Sequence, residues 1–175
     1  MSIALIWAQS ADRVIGVDGG MPWHLPEDMA HFRTLTAGSV VVMGHTTWRS
    51  LPVRFRPLPG RENLVLSRRT DLVLDGATVL GGVQEVLDHV GERDVWVIGG
   101  AQVYEAFLDQ ADRAEVTEID IVLGSGTRAP ELDDTWTAVG TEPAEGWAVS
   151  STGLRYRFAG LLRSGRPGQG VHGRR

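Results

Sequence analysis

The chain has 175 residues, 42% of them hydrophobic and 22% charged, and a net charge of −5; this balance fits one globular domain with a real core and disfavours nucleic acid as a partner. It has no cysteine and all 17 of its basic residues are arginine, which removes disulfides, thiolate zinc sites, cysteine nucleophiles, the lysine of phosphate-binding loops and every Schiff-base lysine, and with it any pyridoxal phosphate mechanism. No run approaches the roughly 18 apolar residues that a membrane span needs.

The start, Met1-Ser2-Ile3-Ala4-Leu5-Ile6-Trp7, lacks a basic leader and reads directly as a buried strand over residues 3–8. No export signal is expected, and the cytoplasm is the expected location. Gly19-Gly20-Met21-Pro22-Trp23 then forms a flexible, aromatic-ended loop, and Pro26 opens a helix over residues 27–36. Leu25, Asp28, Phe32 and Leu35 fall at i, i+3, i+7 and i+10, the spacing of one buried face. A carboxylate on such a stripe needs a partner. A ligand gathered under the loop is one candidate; the helix dipole, which favours an acid in the first turn, is the other. The window alone leaves both open.

Further apolar runs at residues 40–43, 63–66, 95–98 and 115–122 are continuous rather than alternating, the mark of strands covered on both faces. Helices are predicted at residues 47–50, 83–90 and 101–108 between them, giving an α/β class with a parallel sheet. Arg54-Phe55-Arg56 reads as solvated surface, and residues 124–130 and 141–146 as polar loops. Near the end, residues 147–150 and 154–162 flank Ser151-Thr152-Gly153, with Leu154, Tyr156 and Phe158 alternating against Arg155 and Arg157; this predicts an antiparallel hairpin. The domain is expected over residues 1–163. Residues 164–175, rich in glycine and arginine, are expected to be a flexible tail without chemistry.

Residues 95–104, Val-Trp-Val-Ile-Gly-Gly-Ala-Gln-Val-Tyr, are a strand, a glycine pair and a helix start, a pattern that lets backbone approach an anion such as a pyrophosphate. Leu80-Gly81-Gly82-Val83 repeats it, so a plain strand-to-helix turn is the better account of either pair alone. Met43-Gly44-His45-Thr46-Thr47-Trp48 and Leu66-Ser67-Arg68-Arg69 also end strands with anion-binding chemistry, although a helix cap and a solvated arginine pair account for them too. Three such ends on one carboxyl edge mark the place where open α/β sheets bind ligands. The five histidines show no paired metal-ligand spacing, and no G-x-S-x-G occurs.

Ile6-Trp7-Ala8, the loop over residues 16–23, Leu25-Pro26-Glu27-Asp28, Met43-Gly44-x-x-Thr47-Trp48, Leu51-Pro52, Pro59-Gly60-Arg61, Leu66-Ser67-Arg68 and residues 98–104, followed by Thr117, closely resemble the dihydrofolate reductase family in order and spacing. The likeness spans residues 3 to about 162. It implies a central, mostly parallel eight-stranded sheet with an antiparallel C-terminal strand and about four flanking helices. It also implies reduction of dihydrofolate with NADPH, a hydride reaching C6 of the pterin and a proton N5, and binding of antifolate-type small molecules. A monomer is the default expectation.

The resemblance makes Asp28 the pterin anchor, with water as the direct proton donor to N5, Trp23 holding a water near the pterin oxygen and Thr117 bonded to Asp28. Burial should lift the Asp28 pKa above its reference. The Met21 loop closes on the nicotinamide. Phe32, Leu51 and Pro52 grip the aminobenzoyl ring, and Arg61 pairs with the glutamate carboxylate, assisted by Arg33. The carbonyls of Ile6 and Ile98 face the pterin, with Tyr104 beside them, and Trp7, Ala8, Ile15 and Gly16 line the nicotinamide side. Gly44, His45, Thr46 and Thr47 with Gly99, Gly100, Ala101, Gln102 and Val103 bracket the pyrophosphate. Leu66, Ser67 and Arg68 hold the adenosine 2′-phosphate, and Gly99-Gly100 is expected to be cis. His45 and Gln102 stand where arginine is frequent, which throws the 2′-phosphate onto Arg68 and softens the preference for NADPH. Two other readings remain: a pyrimidine reductase of riboflavin synthesis, which would not be expected to carry Trp23, Asp28, Phe32 and Arg61, and a non-catalytic folate or nucleotide carrier.

Overall fold

A computed structural model describes residues 1–165, so most of the expected tail lies outside the described residues. In chain order the elements are β1 (Ile3–Ser10), β2 (Val14–Gly16), α1 (Pro26–Thr36), β3 (Val40–Gly44), α2 (His45–Ser50), β4 (Glu62–Leu66), β5 (Thr78–Leu80), α3 (Val83–Val90), β6 (Val95–Val97), α4 (Ala101–Phe107), β7 (Arg113–Ile119), β8 (Thr127–Arg128), β9 (Trp136–Glu142), β10 (Ala148–Val149) and β11 (Arg155–Arg163). The main sheet runs β10-β11-β7-β1-β6-β3-β4-β5. From β7 to β5 every pairing is parallel; β11 enters antiparallel beside β7. β9 also pairs with β11, along Phe158 to Arg163, while β10 takes Arg155 and Tyr156. The two therefore share one edge position, and the sheet is eight positions wide.

Continuous apolarity in the strands follows from cover on both faces. On one face Ile3, Leu5 and Trp7 of β1 pack with Val86 and Val90 of α3 and Tyr104 and Phe107 of α4. On the other, Ala4 and Ile6 pack with Val41, Met43, Val65 and Trp96, under Trp48 of α2 and Phe32 and Leu35 of α1. The α1 stripe is nevertheless not a core stripe. Leu25 is buried, but Asp28, Phe32 and Leu35 are only half-buried, because the sheet opens beneath them: β6 pairs with β1 only from Ile3 to Leu5, while β1 runs on beside β7 to Ser10. The free edge at residues 6–8 and the end of β6 form the walls of a cleft.

Several boundaries differ from the sequence reading. β7 stops at Ile119 rather than residue 122, because the Ile121 amide donates back to the Ile119 carbonyl and Val122 turns out to solvent. α2 starts at His45, two residues early, since Gly44 takes the capping position with extended backbone. The expected loop at residues 141–146 loses its first two residues to β9, and that at residues 124–130 contains β8, paired with β2. The loop after β2 begins with a tight turn: Asp18 and Gly19 both have positive φ and Val17 bridges Gly20, the Asp-Gly geometry of a type I′ hairpin.

Asp12, between β1 and β2, ties this region together. Its carboxylate accepts from Ser10 Oγ at 2.6 Å, Gly124 N at 2.8 Å and Leu123 N at 3.2 Å, and these bonds, led by Ser10, bring its pKa down to about 2. A depressed carboxylate stabilises the fold above its unfolded pKa and loses that contribution as pH falls through the folded value. Asp12→Asn should therefore lower Tm at neutral pH, with the gap from the parent chain closing between pH 4 and pH 2; a constant gap across that range in thermal melts would contradict the assignment. Among the described residues no helix is long and apolar enough to cross a membrane.

Candidate active site

The cleft is built around one acid. Pro26 at the start of α1 fixes the helical φ without losing a useful donor, which brings Asp28 into the first turn facing β7. Thr117, 2% exposed on β7, donates its hydroxyl to Asp28 Oδ1 at 2.6 Å. Burial raises the Asp28 pKa, opposed by the Thr117 bond and by the charge of His31. Among the described residues no arginine pairs with Asp28. The neighbouring acid, Glu27, plays another part: it accepts from Ser150 Oγ at 2.7 Å and Ser151 N at 2.9 Å, while Thr152 Oγ1 donates to the His24 carbonyl. The β10–β11 turn thus clamps the start of α1, and the helix itself has no side-chain cap.

Other cleft groups gather around this acid. Trp23, packed with Ala8, Leu25 and Ile119, has a buried indole Nε1 that finds no acceptor among the described residues. Tyr104, buried against Trp7 at 5.2 Å between ring centroids, donates to the Ile6 carbonyl at 2.6 Å. Burial pushes its phenol pKa far up, so it stays a donor, and the second lone pair of the Ile6 oxygen is left for another partner. Phe32 lies under the guanidinium of Arg61, 5.6 Å from its ring centre. Arg61 is fixed by bonds to Thr36 Oγ1, the Pro59 carbonyl and the Arg33 carbonyl, and burial, with the nearby Arg33 charge, lowers its pKa. Leu51 is half-buried at the end of α2; Pro52, Arg33 and Met21 are exposed, Met21 at 60%.

Across the cleft stand the glycines. The Gly99-Gly100 peptide is cis, and Gly99 has φ of +126°. Gly44 N donates to the Gly99 carbonyl at 2.8 Å. Close packing requires these glycines: a Cβ on Gly44 would meet Val103 at 3.1 Å, and one on Gly99 would meet the Tyr104 hydroxyl at 3.3 Å and Thr47 Oγ1 at 3.5 Å. Thr46 and Thr47 are not caps, since α2 has no side-chain cap bond. The second glycine pair is different in kind. Gly81 N donates to Glu85 Oε2 at 2.8 Å, and a Cβ there would lie 2.7 Å from the same carboxylate. Glu85 of the chain itself thus fills the Gly81-Gly82 turn, whereas no acid side chain closes the Gly99-Gly100 turn among the described residues.

At the end of β4, Ser67 accepts from the Arg69 amide, and Arg69 pairs with Asp71. Arg68 is exposed and makes no ion pair among the described residues. The sequence-derived residues thus fall into two groups, one around Asp28, Thr117, Trp23, Ile6 and Phe32, the other around Gly44, Thr47, Gly99 and Gly100, while Ile15 and Gly16 lie on β2 and Ile98 directly follows β6. His45, Thr46, Ala101 and Gln102 stand at the helix starts, and Leu66 and Arg68 at the next strand end. The sequence reading gave no role of their own to Glu27, Glu85 and Glu115. Glu27 shares the first-turn position that the helix dipole favours, and Glu115 stands two residues before Thr117 on the same strand face.

The sequence profile of the dihydrofolate reductase family matches residues 2–162. This chain belongs to the dihydrofolate reductase family. With the family comes its reaction, the reduction of dihydrofolate, and the pyrimidine reductase alternative is set aside. The chain is 51% identical to the dihydrofolate reductase of Mycobacterium leprae (strain TN), over 93% of this chain and 98% of that one. It is 50% identical to that of Mycobacterium tuberculosis (strain ATCC 25618 / H37Rv), with the same coverage. Among solved structures it is similar to a dihydrofolate reductase from Enterococcus faecalis complexed with NADP(H) and RAB-propyl, with a TM-score of 0.83 and 28% identity, covering 94% of this chain and 97% of that one.

Proposed function

We propose that the chain performs the NADPH-dependent reduction of 7,8-dihydrofolate to 5,6,7,8-tetrahydrofolate in the cleft between β1 and β6. The observation that carries this reading is Asp28, a half-buried carboxylate facing an apolar cleft with a hydroxyl and, among the described residues, no cation bonded to it. A flat heterocycle with an amino group and a ring N–H satisfies both its oxygens. Thr117 fixes the carboxylate rotamer, and Trp23 keeps a buried N–H that has no acceptor among the described residues. Phe32, Leu51 and Pro52 hold the aminobenzoyl ring, and Arg61, locked by three bonds and assisted by Arg33, receives the glutamate carboxylate.

The glycines support the cofactor reading, because they carry no Cβ where Val103, Tyr104 and Thr47 pack closely, and bare backbone at a strand-to-helix turn can approach a pyrophosphate. Gly44 to Thr47 and Gly99 to Val103 hold it there, Leu66, Ser67 and Arg68 take the adenosine 2′-phosphate, and Trp7, Ala8, Ile15, Gly16, Ile98 and Tyr104 border the nicotinamide. NADPH, when bound, supplies the hydride for C6. The chain's own residues orient the pterin, exclude water as the Met21 loop closes, and raise proton availability near N5 through Asp28. Antifolate-type molecules enter the same cleft. The reading takes the chain as a cytoplasmic monomer, with residues 1–163 as the reductase domain and 164–175 as an appended tail.

Mixing the protein with NADPH and dihydrofolate and following the near-ultraviolet band of the reduced cofactor tests the reading. Absorbance should fall only when both are present; tight binding of both without any fall would make the chain a carrier. Arg68→Ala should narrow the preference for NADPH over NADH by about 1.5–3 kcal/mol, the range for a charge-assisted bond. An unchanged ratio of kcat/KM values would transfer the 2′-phosphate to His45.

A further inference from the structure

One pair of titratable side chains beneath α1 has no part in the mechanism above. His31 follows Asp28 by three residues and therefore shares its helix face. Its ring lies parallel to Phe158 of β11, 3.9 Å between centroids at 13°. Its Nε2 stands 3.9 Å from Glu115 Oε2. Glu115 is only 9% exposed, and its other oxygen accepts from Arg113 Nε at 2.8 Å and NH2 at 2.5 Å. Opposite Glu115 in the β7–β11 register stands Gly160, where a Cβ would come within 3.5 Å of the carboxylate. The strand face that presents Glu115 to His31 presents Thr117 to Asp28, and Phe158 pairs in register with Thr117. Arg113, Glu115, His31, Asp28 and Thr117 form one row of alternating polar groups between helix and sheet.

We propose that His31 is a positioning residue for Asp28: held flat between Phe158 and Glu115, its cationic form steadies the Asp28 carboxylate and sets the pH range over which the site works. The inference rests on Asp28 as the pterin-binding acid. The other ionisable groups near the ring are already committed. Glu27, one turn earlier on α1, is bound by Ser150 and Ser151; Arg113 reaches the ring only through Glu115; and the Tyr156 hydroxyl, beside Phe158, is kept neutral by a pKa that burial raises. This leaves Asp28 and Glu115 as the anions the imidazole faces. The charge of His31 opposes the burial that raises the Asp28 pKa. Without it, only the Thr117 bond does so, and the acid, with any basic atom of a bound pterin, takes a proton at higher pH.

Two pH profiles test this, the rate of dihydrofolate reduction under saturating ligands and the binding of folate followed by tryptophan fluorescence. In His31→Phe and His31→Gln both midpoints should rise by about one pH unit, the effect of one charge at roughly 6 Å in a partly screened site. His31→Arg, which keeps a flat cation over Phe158, should stay at or below the parent midpoint. Unmoved midpoints in all three His31 variants, with only KM or Tm changed, would reduce His31 to a packing residue. An Asp28→Asn protein that keeps the parent profile would instead overturn the reading of Asp28 itself, whatever the His31 variants do. If His31→Phe or His31→Arg does not fold, His31→Gln, which keeps a polar side chain, decides alone: an unmoved midpoint there refutes the coupling.

Discussion

Asp28→Asn should lose about 10²- to 10⁴-fold in turnover at neutral pH, the usual contribution of a positioned proton-handling group. The amide keeps the size and the Thr117 contact but presents a donor where the pterin offers donors, and it carries no charge to favour a proton near N5. Activity should recover in part at acid pH, where substrate arrives already protonated. The same substitution should raise thermal stability. A carboxylate whose folded pKa exceeds its unfolded value costs stability once pH rises above the unfolded value, and the full cost is present above the folded one. The variant should therefore melt higher than the parent at pH 7, and the two should converge as pH falls to 4. Equal rates at pH 7 would refute the catalytic assignment, and equal melting temperatures would show that burial strains this carboxylate little.

The second large effect belongs to Gly99. Its φ of +126° lies where an L side chain is strained, and a Cβ would press the Tyr104 hydroxyl at 3.3 Å and Thr47 Oγ1 at 3.5 Å. That hydroxyl is the one bonded to the Ile6 carbonyl, so relief by moving Tyr104 disturbs the pterin side of the cleft as well. Gly99→Ala should cost about 1–3 kcal/mol of stability through the backbone alone and weaken NADPH binding by at least about tenfold, measured by cofactor fluorescence. Gly82→Ala is the control: it has no neighbour within 4 Å of a Cβ and no positive φ, and it should leave cofactor affinity unchanged. Equal effects at the two positions would mean that the Gly99 turn is only a connection.

The pair of glycine turns also shows what sequence can and cannot carry. Leu80-Gly81-Gly82-Val83 and Ile98-Gly99-Gly100-Ala101 are the same word in the chain. What separates them is Glu85, one turn into α3, whose carboxylate reaches back to the first turn, and a cis peptide at the second. Although β5, a partly exposed edge strand, was not marked out among the apolar runs, the other strands of the parallel sheet were legible because two-sided burial writes continuous apolar runs. β9 was not, because an edge strand with six of its seven residues at least partly solvated, among them Thr137, Val139 and Gly140, has no such run. β2 and β8, two or three residues long, are set by their pairing and by Asp12 rather than by local propensity.

Asp28 was visible as an anomaly because a helical stripe is periodic and an acid interrupts it. Its two possible explanations were not separable at that level. The dipole reading fits Glu27 no worse, and only the fold shows that Glu27 turns to Ser150 while Asp28 turns to Thr117 across 89 residues of chain. Glu115 was hidden in an apolar strand for the same reason, its partners Arg113, His31 and Gly160 lying on the same strand and on two other elements.

The most direct test of the account is a crystal structure of the chain with folate and oxidised cofactor bound. The pterin amino group and N3 should donate to the two oxygens of Asp28, with Thr117 still bonded and the nicotinamide lying against the pterin beside Gly99. A pterin bound elsewhere, with Asp28 turned to an arginine or histidine of the protein, would contradict it.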